Sequence, residues 1–352
     1  MSSLGTAMGA TPLSVTAVST AADRVVARPS GRNEVIDLVK GALVLFMVLY
    51  HWANYFVDVS WDIYRYLRFL TPSFTLITGF LISYTYLARY APDDARLRGR
   101  LFRRGGKILL LFTALNAAGE LARPDALAGG RSTMQNLYRI YVVGDGSAAF
   151  DVLVPIAYFL LLAPLVLLAA TRLRVRLQTV GMVAVLATVA AYASGVRSPN
   201  LELVAVALLG MGAGVMPFDR LERLVGRHGL LVAGYLCYLA AITMLNIPFP
   251  LQVIGVCLSV LLLFAAGRGI GTSNWVSRRI VELGEYSLYA YIVHIVVLQL
   301  LRRGLRPFAL TGFELLIPFV LALVLTVLLV QGAIAARARL ASADRLYRVV
   351  FA

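Results

Sequence analysis

The first apolar segment of the chain carries three polar side chains that could do chemistry inside a membrane. These side chains are Asp37, Lys40 and His51. At about 100° per residue, the eleven steps from Lys40 to His51 return to within roughly 20° of the same helix face. At about 1.5 Å per residue the two groups are about 16 Å apart, roughly half the thickness of a hydrocarbon core. Ionisable groups inside a membrane span are costly, so they indicate a functional site.

Two interpretations of this stretch are open from the residues alone. Asp37 is close enough to pair with Lys40, which gives a structural pair near the inner interface, with His51 extending outward. In the functional interpretation, Lys40 holds an anionic or carbonyl group that enters from the cytoplasm. His51 then works as a base, because imidazole is the side chain best matched to proton transfer near pH 7.

Two further segments contain polar groups at helical spacing. Late in the chain, one helix face carries Ser287, Tyr291 and His294. This face is either a binding site or a hydrogen-bonded part of the core. Thr78 belongs to a run of small and hydroxylated residues at 71–82, where close helix packing is the alternative to substrate binding.

About ten apolar segments must position these side chains. The chain has 352 residues, of which 60% are hydrophobic and 14% charged, and its mean hydropathy is +0.79. This composition is typical of a polytopic membrane protein, because no soluble fold of this length needs so many long apolar runs. We therefore predict an all-α fold with ten transmembrane helices, at 35–57, 70–86, 108–121, 150–170, 177–194, 201–216, 230–245, 251–266, 280–301 and 313–335.

Basic residues predict the orientation of these helices. They are nearly all arginine, since Lys40 and Lys107 are the only lysines. They cluster before the first segment, after the even-numbered ones and after the tenth, which makes that side, with both termini, cytoplasmic. The net charge of +15 is thus topological and does not indicate nucleic-acid binding. Arg302, Arg303 and Arg306 fall on the opposite side. Either they meet an anionic ligand outside, or the ninth segment is not a simple crossing.

The domain organisation follows from the same pattern. We predict a flexible cytoplasmic tail at 1–31, without the apolar core of a signal peptide, then a membrane domain at 32–336 and a basic cytoplasmic tail at 337–352. Within the long connection 122–149, the half-apolar stretch 134–141 predicts an interfacial or re-entrant helix that could roof a cavity.

Several kinds of site are excluded by their missing motifs. The sequence has no cysteine pair at metal-ligand spacing, no phosphate-binding glycine loop, no nucleophile elbow and no zinc-type histidine motif. We predict no metal, because three histidines, one of them in a loop, are too few for a metal cage. Glu120, Asp151, Glu202 and Glu314 lie near segment ends, where an interfacial carboxylate is ordinary.

Three motifs in order resemble the integral-membrane acyltransferase family 3. Residues 40–51, preceded by Asp37 and ending in Tyr-His, resemble its first helix, whose hallmark is an arginine, ten residues and a histidine. Residues 74–82 resemble its Phe-x-x-x-Ser-Gly-Phe-Leu-Ile motif, and residues 283–294 are similar to its late Leu-Gly-x-x-Ser-x-x-x-Tyr-x-x-His motif. The departures are Lys40 in place of the arginine, which loses the planar guanidinium fork, and Thr78 in place of the serine.

The resemblance implies transfer of an acyl group, often acetyl from acetyl-CoA, to a hydroxyl of a carbohydrate or lipid-linked acceptor. It implies that His51 is the catalytic histidine and that Lys40, with Asp37 beside it, stands in the position of the motif arginine. The acyl-CoA nucleotide would meet the arginine-rich cytoplasmic face, including Arg103 and Arg104. The acceptor would approach from the outer half, where Trp52, Tyr55, Trp61 and Tyr64 offer aromatic surface.

Two other functions would also fit a polar cavity. A transporter or flippase would line it with the same groups, although no internal repeat is visible. A non-catalytic relative that lost activity with the arginine is the third interpretation. The arginine-rich, lysine-poor composition suggests a GC-rich bacterium, hence the bacterial cytoplasmic (inner) membrane with its lipids as partners. The sequence is also compatible with a homo-oligomer.

Overall fold

The computed structural model describes residues 33–57, 60–121, 133–144, 149–308 and 310–351, and this part of the chain contains helices and turns but no β-strand. The predicted all-α class is confirmed for it. The predicted tail at 1–31 lies outside the described residues. The α-helices are α1 Glu34–Trp52, α2 Trp61–Leu67, α3 Leu70–Leu81, α4 Ala95–Leu121, α5 Thr133–Leu137, α6 Leu153–Arg172, α7 Leu177–Ala193, α8 Pro199–Ala213, α9 Phe218–Gly226, α10 His228–Met244, α11 Val253–Ile270, α12 Trp275–Glu285, α13 Ser287–Leu305, α14 Leu316–Arg339 and α15 Ala341–Phe351.

Each predicted segment overlaps a helix; most boundaries differ by no more than about four residues, and two differ in a larger way. The third lies inside α4, which begins earlier, at Ala95. The ninth is broken at Tyr286, between α12 and α13. Five helical stretches are long and apolar enough to cross a membrane, namely Glu34–Val57, Leu153–Arg172, Phe249–Ile270, Ser287–Phe308 and Gly312–Arg339. A sixth would be the pair α8 and α9, which is bent by 105°.

Helix α1 is central to the bundle, because it contacts α3, α11, α12, α13 and α14. Its start is fixed by Asn33, whose Oδ1 accepts a hydrogen bond of 3.0 Å from the backbone N–H of Val35. Apolar side chains on several faces of α1 are fully buried, among them Leu43, Val44 and Val48. Phe46 is exposed, so the helix lies largely, but not wholly, inside the bundle.

Glycines bring α1 and α12 into backbone contact. A Cβ at Gly284 would overlap the carbonyl oxygen of Asp37, and a Cβ at Gly41 would overlap that of Ile280. Membrane helices use small residues in this way, because they allow van der Waals packing between backbones. The glycine of the late motif therefore holds α12 against the polar start of α1.

Glycines also bring α3 and α8 into backbone contact. A Cβ at Gly79 would overlap the carbonyl oxygen of Ala207, and one at Gly210 would overlap that of Leu76. The glycine of the second-segment motif thus serves helix packing here.

Three helices continue in π-helical turns, where the hydrogen bonds span five residues and the turn contains about one extra residue. α1 continues as Ala53–Val57, α3 as Ile82–Tyr86 and α5 as Tyr138–Val143. The first of these turns carries Tyr55 at the end of α1, next to His51.

The segment predicted as a C-terminal tail contains the end of α14 and all of α15. Arg337 joins the two helices through Asp344, with Nη2 to Oδ1 at 2.8 Å. Its guanidinium also lies 4.2 Å from the centre of the Tyr347 ring. The last described helix is therefore attached to the bundle.

The contact between α1 and α12 generates the first prediction. Gly284→Ala forces a Cβ into the Asp37 carbonyl, so we expect a loss of about 1–3 kcal/mol of stability, measured as a lower unfolding temperature of the purified protein in detergent. The matched control is Gly332→Ala in α14, where an added Cβ meets nothing within 4 Å. The control is expected to be neutral or slightly stabilising. Equal unfolding temperatures for the two variants would contradict the tight contact.

Candidate active site

Two histidines from different helices lie side by side at the centre of the candidate site. His51 near the end of α1 and His294 in α13 have ring centres 5.3 Å apart. His294 is fully buried, and its Nδ1 lies 3.1 Å from the carbonyl oxygen of Ala290. Because a carbonyl oxygen only accepts, this contact places a hydrogen on Nδ1 of His294. Among the described residues, the Nε2 atoms of both histidines have no hydrogen-bond partner.

Aromatic rings surround the pair. The ring centres of Tyr50 and Tyr55 lie 5.0 Å and 5.8 Å from that of His51. Tyr291 lies one turn before His294, with the ring centres 5.5 Å apart. The Tyr50 hydroxyl is hydrogen-bonded to the Tyr64 hydroxyl on α2. These rings limit the directions in which the imidazole of His51 can turn.

His51 lines a cavity of about 420 Å³, which we call the imidazole cavity. Its wall is formed by residues of α1, α2, α3 and α8 and by residues of the segments that precede α3, α6 and α11. Its polar lining side chains include Tyr50, His51, Tyr64, Arg68, Asp151 and Glu202. The helix predicted to roof a cavity contributes Gly144, which directly follows its π-helical turn. That turn is held to α8 and α6 by side chains of Asn200 and Tyr158, which donate to the carbonyl oxygen of Tyr141 at 3.1 Å and 2.7 Å.

The two carboxylates of the imidazole cavity were not predicted as site residues. Asp151 lies in the turn before α6, and Glu202 lies in the first turn of α8. Asp151 is exposed toward the cavity, and desolvation by the neighbouring protein raises the pKa of its carboxyl above the usual range. Arg68, which also lines the cavity, interacts electrostatically with Glu202. Hydroxyl-bearing ligands are recognised by such acceptors and donors.

The predicted topology contained a signal for these carboxylates. With alternating segments, the starts of the fourth and sixth face the same side as the end of the first. The prediction therefore places Asp151 and Glu202 on the same side of the membrane as the end of the first segment, which carries His51. Each one alone has the ordinary appearance of an interfacial carboxylate, and only this shared side distinguishes them.

Asp37 and Lys40 form an ion pair at the other end of α1. Lys40 Nζ lies 2.6 Å from Asp37 Oδ1, and both side chains are largely buried. Neither residue lines the imidazole cavity. Because α1 is continuous from Glu34 to Trp52, the rise of about 1.5 Å per residue keeps Lys40 about 16 Å from His51 along the axis. The structure does not bring the pair together with the histidines.

The remaining predicted site residues are separate from the histidine pair. Ser287 is the first residue of α13, about two turns before His294. Thr78 donates to the carbonyl oxygen of Phe74 on its own helix at 2.7 Å. Trp52 donates from Nε1 to the carbonyl oxygen of Leu315 at 2.7 Å, which attaches α1 to the start of α14. The side chain of Trp61 lies outside the described part.

Arg103 and Arg104 are exposed on α4. Arg103 donates to the carbonyl oxygen of Gly99 at 3.2 Å, and Arg104 donates to the Tyr86 hydroxyl at 3.1 Å. Both guanidinium groups are open to solvent, so an anionic ligand could reach them. In the described ranges, no group of three histidine, cysteine, aspartate or glutamate side chains is placed to hold a metal ion.

One comparison with known proteins found a match. A family model described as an acyltransferase domain matches residues 33–335. No curated protein and no solved structure matches the chain. The matched range includes the whole site, from Asn33 at the start of α1 to the last turns of α14.

The raised pKa of Asp151 generates the second prediction. A carboxyl whose pKa is raised by folding costs stability once the pH rises above its unfolded value, and the cost is complete above its folded pKa. We therefore expect Asp151→Asn to gain stability over the parent protein as the pH rises from acid to neutral, measured as unfolding temperature in detergent. The control is Asp62→Asn at an exposed carboxylate, with no comparable trend. A difference for Asp151→Asn that stays flat or shrinks as the pH rises would contradict the desolvated carboxyl.

Proposed function

Because the chain belongs to the acyltransferase family that matches residues 33–335, and is thus a membrane acyltransferase in general terms, we propose a more specific reaction. The enzyme moves an acyl group, acetyl in the simplest case, from acyl-CoA to a hydroxyl of a carbohydrate or lipid-linked acceptor. The observation that carries the proposal is the position of His51. Its imidazole lines a polar cavity, and its Nε2 has no partner among the described residues.

In the proposed step, His51 Nε2 takes the proton of the acceptor hydroxyl while the oxygen attacks the thioester carbonyl. The carbon–sulfur bond then breaks, the new ester forms, and the imidazolium returns the proton to the leaving thiolate of CoA. The electrons and the proton balance without a further reactant. The buried ring of His294 packs beside His51, and its own Nδ1 is hydrogen-bonded to the carbonyl oxygen of Ala290.

The imidazole cavity is the proposed acceptor site. Asp151 and Glu202 can accept hydrogen bonds from acceptor hydroxyls, while Arg68 can donate. The rings of Tyr64 and Phe249 in the same wall offer flat apolar surface for a sugar ring or a lipid carrier. This chemistry suits a polyhydroxylated acceptor better than a purely apolar one.

The donor is proposed to approach from the opposite end of α1. The cationic groups of Arg103 and Arg104 attract the nucleotide phosphates of acyl-CoA, and its thioester arm then extends along α1 past Lys40 toward His51. The arrangement corresponds to a bacterial cytoplasmic membrane with the donor inside and the acceptor in the outer half. The arginine-rich, lysine-poor composition supports this assignment.

The third prediction tests the base. His51→Ala should lower acyl transfer from labelled acetyl-CoA by about 10²–10⁴-fold, because it removes general-base catalysis. His228→Ala, at an exposed histidine at the start of α10, should keep full activity. Both variants should elute as folded protein. Undiminished transfer by folded His51→Ala would refute the assignment.

The fourth prediction separates the two roles of Lys40. The ion pair with Asp37 indicates that Lys40 positions the start of α1, so Lys40→Arg should retain both the unfolding temperature and kcat/KM. Lys40→Met leaves the buried carboxylate without its ammonium and should cost up to about 3–5 kcal/mol of stability. If Lys40 instead holds the acyl carbonyl, both variants would lower kcat/KM and Lys40→Arg would do so at unchanged unfolding temperature.

A further inference from the structure

Three arginines at the end of α13 share one cavity. Arg302 and Arg303 lie in the last turn of the helix, and Arg306 begins the 3-10 turn that follows it. All three are exposed and line a cavity of about 560 Å³, together with Gln299 and Tyr55. We call it the arginine cavity.

In the part of the chain that the structure describes, no carboxylate balances these charges. Within the described ranges, none of the three arginines has an ion pair with a carboxylate inside 4.0 Å. Glu314, which belongs to the turn between Leu310 and Leu315 in the cavity wall, is used locally. Its Oε2 accepts from the backbone N–H of Thr311 at 3.1 Å and caps the turn there.

The helix dipole and the membrane surface account for these charges only in part. A helix C-terminus favours a cation in its last turn, which suits Arg302 and Arg303, but Arg306 lies beyond the helix. This end of the bundle is the predicted outer side, where basic residues are disfavoured by the positive-inside rule. Three like charges that line one cavity repel each other, and an anion between them would relieve that repulsion.

Aromatic contacts connect the arginine cavity to the catalytic histidine. The guanidinium carbon of Arg302 lies 5.6 Å from the centre of the Tyr55 ring. The same ring lies 5.8 Å from that of His51. The Tyr55 ring is thus near both an arginine of this cavity and the imidazole of His51.

We propose that the arginine cavity binds a phosphate ester, the phosphate or pyrophosphate group of the acceptor. Guanidinium groups match phosphate oxygens in paired hydrogen bonds, and several of them suit a doubly charged group better than a carboxylate. The acceptor is then a phosphate-linked carrier whose hydroxyl reaches His51. The identification of the ligand with the acceptor rests on the proposed function, whereas the anion site itself does not.

The test titrates the purified full-length protein, in neutral detergent, with inorganic pyrophosphate. We expect saturable binding that weakens by at least about tenfold when Arg302, Arg303 and Arg306 are all changed to Gln. The control changes Arg172, Arg174 and Arg176 to Gln, which removes the same charge from exposed positions around the end of α6 and the start of α7. No binding, or equal affinities in both triple variants, would overturn the site.

A second arm distinguishes the acceptor from a lipid headgroup as the source of the phosphate. The titration is repeated in nanodiscs of phosphatidylcholine, with and without phosphatidylglycerol. Unchanged pyrophosphate affinity supports an acceptor group, whereas its loss in the anionic nanodiscs would overturn that assignment in favour of a lipid headgroup. His51→Ala should bind pyrophosphate normally, so a failure of the proposed reaction and a failure of the anion site give different results.

Discussion

Polar groups on a helix inside a membrane have to be shielded from lipid, and the bundle around α1 follows from that requirement. Asp37 carries a charge that is buried and paired with Lys40 on the same face. The helices that cover this pair must approach closely, so Gly284 and Gly41 lie where larger side chains would collide with backbone. At the other end of α1, His51 is covered by α13 and by tyrosines rather than by lipid. Unsatisfied polar groups cost several kcal/mol in hydrocarbon, so these contacts decide which helices surround α1.

The candidate site is assembled from helix ends rather than from one helix. His51 is near the end of α1, Asp151 precedes α6, and Glu202 begins α8. Polar side chains are tolerated at such ends because backbone groups and water can still reach them, while the centre of a span offers neither. A site at the ends of several helices is open to a ligand from one side of the membrane. Its walls are still held by the packed interior of the bundle.

Much of the architecture could be predicted from hydropathy, because a helix was found at each of the predicted apolar segments. The face shared by Tyr291 and His294 was also visible from helical spacing. The break between α12 and α13 at Tyr286 could not be predicted, since no proline marks this position and the break depends on how α12 packs against α1. The helices that Gly79 and Gly284 contact could not be predicted either, because sequence spacing does not show which helices are neighbours. The pairing of Lys40 with Asp37 could be predicted from their spacing. That Lys40 does not line the imidazole cavity could not be predicted, because it depends on which residues form the cavity wall.

The π-helical turn after Trp52 has a consequence for how the two cavities are coupled. Because such a turn contains about one extra residue, side chains in it lie at angles that regular α-helical spacing does not give. Tyr55 belongs to this turn, and its ring lies 5.8 Å from that of His51 and 5.6 Å from the guanidinium carbon of Arg302. A change of helical spacing at this one turn would therefore move the Tyr55 ring relative to both groups at once.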